Sequence, residues 1–376
     1  MQNFESIRPY RDDEVPVVIQ RLAHDPALLN AAAAFFAPRL ARWLPWVARY
    51  GARRVIQRRT AGLDSVRELQ LWLADYMERV IRDSVHELTV DGLEALQPGQ
   101  PYLFVSNHRD IVMDSALLNY SLHQAGHTTM RVAVGDNLLS EAYAADLMRL
   151  NKSFVIERSV SGARALYQAI TRTSGYIRHS LEEGQSVWIA QREGRAKDGF
   201  DRTDPAVLKM LSLAYRKELD RFGDLLDRVS LIPVSVSYEL DPCDRRKAHE
   251  LFVAEQTGRY VKQPGEDLAS IVDGILGFKG RVHVQVSPPL RGDFADPEAM
   301  AHALDRAIVG GLRIYPTQVE ALRRLGDDCP DSAFAPVPRV MRVLAERIAA
   351  CPEPERAHLL GGYANPIRNR RTLGVG

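Results

Sequence analysis

The sequence predicts an α/β fold: a mixed, largely parallel central sheet flanked by helices, with helical extensions at both ends. Three observations predict it. Beyond Gly92, short apolar runs alternate with helical patterns up to about residue 291. Before that point the chain carries helical rather than strand patterning. Beyond Gly292 no strand signal remains, and Pro297–Leu312, Pro316–Leu325 and Pro338–Ala350 read as helices, each opened by a proline. The expected organisation is therefore a helical region over 1–91, an α/β domain over 92–291 and a helical extension over 292–376.

The first region contains a local charge asymmetry. Between Pro26 and Leu63 there is no acidic residue, but there are seven arginines: Arg39, Arg42, Arg49, Arg53, Arg54, Arg58 and Arg59. Its longest uncharged run, Pro26–Pro38, is 13 residues, against the roughly 20 needed to cross a bilayer. Trp43, Trp46, Val47 and Tyr50 recur at helical spacing with arginines on their flank. Two readings stand open: an anchor lying on a membrane surface, or an amphipathic helix packed on the protein's own core. Pro38 and Pro45 interrupt the stretch.

In the middle region, strands are expected at Tyr102–Ser106, Arg131–Val134, Phe154–Ile156, Ser186–Ala190, Leu231–Ser237 and Arg281–Val286. Helices are expected at Asp114–Gln124, Leu138–Leu150, Gly162–Glu182 and Pro205–Asp220. Pro233 argues for an edge or bulge position of its strand. Residues Asn365–Gly376 read as a loose basic tail.

Composition narrows the function. The chain has 376 residues, of which 45% are hydrophobic and 26% charged, enough to bury a full core. Lysines and arginines number 49 against 48 acids, so no nucleic-acid partner is expected. Cys243, Cys329 and Cys351 have neither disulfide nor zinc-site spacing. No export signal and no metal are expected, and a reducing, cytoplasmic setting fits best.

The chemistry-bearing stretch is Ser106-Asn107-His108-Arg109-Asp110-Ile111-Val112-Met113-Asp114, directly after an apolar strand and before a helix. A histidine leaving the carboxyl end of a strand stands where open α/β folds build their sites, and a carboxylate in the next helical turn folds back onto one ring nitrogen. The other nitrogen is then free to take a proton. Asp114 is the preferred acid and Asp110 the competitor, because two residues from the histidine is too close for that folded-back geometry. Two later segments add cations after strands. Phe154-Val155-Ile156-Glu157-Arg158 ends one, and Gln191-Arg192-Glu193-Gly194-Arg195-Ala196-Lys197 ends another. Arginine forks suit phosphate oxygens, and glycine permits close backbone approach. His108-Arg109-Asp110 also spells a kinase catalytic loop, but the asparagine and the glycine-rich loop of that family are missing.

Taken in order with the apolar block Leu231–Tyr238, these segments resemble the four motif blocks of the glycerolipid acyltransferase superfamily, over about Tyr102–Tyr238. The resemblance implies His108 as base and Asp114 as its orienting acid. It implies Arg158 and Arg195 as phosphate-binding arginines and Glu193 with Gly194 as an acceptor-loop pair. Asn107, Arg109, Arg192 and Lys197 complete the expected substrate-binding set. The chain departs from the pattern in two spacings: five residues instead of four separate His108 from Asp114, and none separates Gly194 from Arg195. The expected reaction moves an acyl group from acyl-CoA or acyl carrier protein to a hydroxyl of a glycerol phosphate or lysophospholipid, with no cofactor. The expected location is cytoplasmic, on the inner face of the cell membrane. The rival expectations are a non-catalytic lipid-binding protein and an acyltransferase for a lyso-lipid without phosphate.

Overall fold

The structure, a computed structural model, describes residues 3–138 and 141–375. Its strands are β1 (Glu87–Asp91), β2 (Leu103–Ser106), β3 (Arg131–Gly135), β4 (Ser153–Ile156), β5 (Val187–Ala190), β6 (Leu231–Tyr238) and β7 (Arg281–Val286). Helices precede, separate and follow them, so the fold is α/β as expected. Two compact units are formed, Met1–Tyr76 with Arg131–Tyr176, and Met77–Met130 with Ile177–Gly376.

In the first unit, β3 and β4 pair in parallel around the helix Ala142–Leu150. Val15, Val18 and Leu22 of the helix Val15–Leu22 share one buried cluster with Tyr143, Leu150 and Leu69. Arg21 grips Asp146 through both carboxylate oxygens, and the Tyr10 hydroxyl donates to the same group. This docking is why the unit is discontinuous in sequence. Pro38 and Pro45 each open a helix, splitting the arginine-rich stretch into Pro26–Phe36, Pro38–Trp43 and Pro45–Thr60. The expected single aromatic face is thereby divided, with Trp43 closing one helix and Trp46 and Tyr50 on the next. The expected helix Leu138–Leu150 is Ala142–Leu150, with residues 139 and 140 outside the described residues.

In the second unit the strand order is β1-β7-β6-β2-β5, parallel except for the β6–β7 pair. β2 is buried along its whole length between β5 and β6, which explains an unbroken apolar run. β6 is therefore an interior strand, not the edge that Pro233 suggested. The β6–β7 ladder starts at Val234–Val286, so the missing N–H of Pro233 falls just beyond it and no ladder bond is lost.

Sequence reading missed β1, whose Glu87 and Asp91 ends are exposed, and this strand falls inside the region expected to be helical. It also missed the helices Asp244–Thr257 and Glu266–Leu276, and it overextended Pro205–Leu213 to residue 220. Three helices open with a proline after an aspartate for a physical reason. Asp25, Asp204 and Asp296 each accept a backbone N–H in the first turn, and the proline after each has no N–H to leave unpaired.

The expected loose tail is a further correction. Residues 365–373 belong to the helix Arg356–Leu373, and Tyr363, Pro366, Ile367 and Asn369 are buried. Pro366 cannot donate to the carbonyl of Gly362, which faces Gly199 instead. Gly199 has φ 82° and no room for a Cβ against that carbonyl, so glycine is required on both counts. Tyr363, Leu359, Leu360 and Ile367 join Leu322, Leu344 and Ile348 in a C-terminal hydrophobic core.

Candidate active site

Parallel pairing of β2 with β5 and β6 brings the carboxyl ends of these three strands to one end of the second unit. The loop after β2, the loop after β5 and the last residue of β6 meet there. The Gln191 N–H donates to the Ser106 carbonyl, and the Ala196 N–H donates to the His108 carbonyl at 2.8 Å, tying the two loops together. Asn107 extends the contact to β6: its side-chain oxygen accepts from Val236 N and its amide donates to Val236 O.

His108 retains 15% side-chain exposure, whereas the Asp114 side chain is fully buried. Asp114 Oδ2 lies 2.9 Å from His108 Nδ1 and accepts the backbone N–H groups of Arg109 and Asp110 at 2.6 and 2.9 Å. Asp114 Oδ1 accepts the Tyr238 hydroxyl at 2.8 Å. The edge of the Trp188 indole meets the imidazole with ring centroids 5.7 Å apart, and its N–H is held by Ser106 Oγ. Among the described residues no hydrogen bond is formed at His108 Nε2, which leaves that nitrogen available to a ligand.

The two candidate acids have different partners. Asp110 accepts the N–H groups of Val112 and Met113 at 3.0 and 2.9 Å, capping the helix Met113–Gln124. Burial and the neighbouring Asp114 charge push its carboxyl above the ordinary range. Asp114 lies one residue inside that helix, and the extra residue of the His–Asp spacing is absorbed by the turn at residues 110–112.

Asn107 and Arg109, expected to touch substrate, are spent on the protein frame. Asn107 is fully buried, and Arg109 donates to Asp201 at 2.5 Å and to the Gly199 carbonyl. Burial works against the Arg109 charge, but Asp201 outweighs it and holds the guanidinium charged. Lys197 is engaged by Glu250. Arg195 differs, since its Nη1 is buried and has no hydrogen-bond partner among the described residues. Gly194, just before it, takes φ 75°, a conformation that glycine adopts without strain. Arg192 is half-buried and Glu193 exposed in the same loop. Arg158 belongs to the first unit, where it follows β4 and its backbone N–H donates to Asp136.

Sequence reading overlooked three members of this centre: Tyr238, Asp201 and Trp188. Tyr238 shares one face of β6 with the buried Val234 and Val236, so strand alternation does not set it apart from a core residue. Nothing local to the sequence marks Asp201 as the partner of Arg109, 92 positions away.

Residues 87–237 match the family model described as Acyltransferase, and the chain carries an acyltransferase domain of this kind. No curated protein matches the sequence. Among solved structures, the 1-acyl-sn-glycerophosphate (LPA) acyltransferase PlsC from Thermotoga maritima is 14% identical, with 81% of this chain and 98% of that chain covered and a TM-score of 0.38. A likeness that loose says nothing about substrate.

Proposed function

We propose that this domain transfers a fatty acyl group from a thioester, acyl-CoA or acyl carrier protein, to a hydroxyl of a glycerol phosphate or lysophospholipid, with His108 as general base and Asp114 as its orienting acid. The observation that carries this reading is the 2.9 Å contact between His108 Nδ1 and Asp114 Oδ2. It leaves Nε2 with a lone pair. The acceptor hydroxyl attacks the thioester carbonyl carbon as Nε2 takes its proton. The tetrahedral adduct then expels the thiolate, the C–S bond breaks, and the imidazolium returns the proton to sulfur. Arg195 supports a phosphate-bearing acceptor, because a buried guanidinium nitrogen without a partner is completed by an anionic oxygen. Arg158, Arg192, Glu193 and Gly194 are assigned to acceptor binding by the superfamily pattern alone.

The reading extends to a membrane surface as the source of acceptor and the destination of product, on the inner face of the cell membrane. Trp43, Trp46 and Tyr50 are 77%, 66% and 60% exposed amid the arginine-rich stretch. This favours an interfacial helix group over one packed on the core. Among the described residues no helix is long and apolar enough to cross a membrane.

The test is acyl transfer with both donor types against glycerol 3-phosphate and lysophosphatidate. His108→Ala should lose about 10²- to 10⁴-fold in kcat without losing its melting transition. Undiminished turnover in a folded variant would remove the mechanism. Asp114→Asn should follow His108→Ala, whereas Asp110→Asn should retain transfer.

A further inference from the structure

Resting on the proposed reaction, we infer that Tyr238 is a positioning residue of the site, acting through Asp114 to set the tautomer of His108. Tyr238 closes β6 and is held by its backbone on both sides: its register partner is Val282 of β7, and its carbonyl accepts the Gln318 side chain. Its hydroxyl donates to Asp114 Oδ1 at 2.8 Å, the oxygen that does not face the imidazole. The three donors on the other oxygen are His108 Nδ1 and the Arg109 and Asp110 N–H groups.

Donors gathered on one oxygen leave the rotation of the carboxylate plane about its Cβ–Cγ bond loosely fixed. The phenol on the second oxygen fixes that rotation. It holds Oδ1 from a rigid strand, so Oδ2 stays turned toward Nδ1. A buried carboxylate oxygen deprived of its donor has a strong incentive to rotate toward another, since an unsatisfied buried group costs its full desolvation. That rotation loosens its hold on the Nδ1–H tautomer, and a ring with Nε2 protonated cannot accept the proton of the acceptor hydroxyl. Burial, followed by the charge of Asp114, pushes the phenol well above its ordinary range, so it stays an O–H donor through neutral and mildly alkaline pH. Tyr238 does not touch the reacting atoms; its effect passes through the acid.

The experiment pairs kinetics with ring ¹⁵N NMR of His108 in the full-length chain. In Tyr238→Phe, kcat should fall roughly 10- to 100-fold with KM for donor and acceptor unchanged. The His108 nitrogens should shift from the Nδ1–H pattern of the native protein toward tautomer exchange. In the Asp114→Asn background, adding Tyr238→Phe should have no further effect on kcat, because the residue it acts through is gone. An unchanged His108 spectrum in Tyr238→Phe, or an equal loss of kcat on both backgrounds, overturns the inference. The spectrum is read without substrate, so failure of the native protein to transfer acyl groups would reject the proposed function and leave this inference standing. Should Tyr238→Phe fold poorly, uniform 3-fluorotyrosine labelling gives the same reading: a stronger donor must perturb the His108 signals in the native background and not in Asp114→Asn.

Discussion

Six residues after His108, not two, stands the acid that meets its ring, and the reason is helix geometry. A residue one position inside the helix Met113–Gln124 points its carboxylate back over the preceding loop, whereas Asp110 is used up capping the helix start. The same accounting explains Lys279, which is fully buried yet meets no carboxylate among the described residues. Its ammonium donates to Ser84 Oγ and to the carbonyls of Ile275 and Gly277. Burial lowers it from its ordinary range to about 8, with Asp110 opposing. The folded-state value lies below the unfolded one, so between about pH 8 and the ordinary lysine range the unfolded chain holds a proton that the folded chain has released. Stability should therefore rise with pH across that window. Denaturant unfolding at pH 7 to 10 should show the rise, and Lys279→Met should flatten it. The same variant should lose about 1–3 kcal/mol at pH 7 by orphaning two carbonyls.

At the scale of elements, the helix Arg356–Leu373 is part of the site's support. Asn365 donates to the Asp198 carbonyl at 2.7 Å and Asn369 to the Asp201 carbonyl at 2.8 Å. Between these bonds and the Ala196–His108 bond, the loop that carries Arg195 is fastened at both ends. Asn365→Ala with Asn369→Ala should release the loop from its C-terminal side. The expected result is a several-fold rise in KM for a phosphorylated acceptor with kcat much less affected, read from steady-state kinetics at fixed donor. A matched fall in kcat with unchanged KM would place the effect on the dyad instead. The expectation of a loose tail here failed on local cues, since Gly361, Gly362 and Pro366 punctuate the sequence as a loop would. Tertiary burial of Tyr363 and Ile367 outweighs the cost of those residues in a helix.

For the molecule as a whole, the first unit concentrates exposed aromatic and aliphatic side chains with arginines, including Trp43, Leu44, Trp46, Tyr50 and Val55. On the proposed reading, such a surface would partition into the headgroup layer by apolar burial and be drawn there by anionic lipid. Sedimentation with sucrose-loaded vesicles should show binding that rises with the phosphatidylglycerol fraction and weakens with salt. Trp43→Ser with Trp46→Ser should reduce the partition coefficient about tenfold or more at every lipid composition. Transfer to a water-soluble acceptor should be spared in that variant, while transfer to a vesicle-embedded acceptor should fall. Binding equal to the native protein would rule out the aromatic contribution.

How much of this was legible follows from range. The α/β class, six of the strands, the proline-opened helices and the placing of His108 after an apolar strand all rest on side-chain period and capping chemistry within a few residues, and those act before any long-range contact forms. β1 was lost because its ends are exposed and its partner β7 is almost 200 residues away. Pro233 misled because a proline's cost depends on where the neighbouring strand ends, which is a property of the sheet. The histidine, its candidate acids and the cationic loop are thus determined by the sequence itself. The phenol from β6 behind Asp114, the diversion of Asn107 and Arg109 to the frame, and the unpaired nitrogen of Arg195 were decided only by tertiary structure. Hydrogen-bond satisfaction of a buried polar group is settled by whatever the fold brings within 3 Å, and sequence separation carries no record of it.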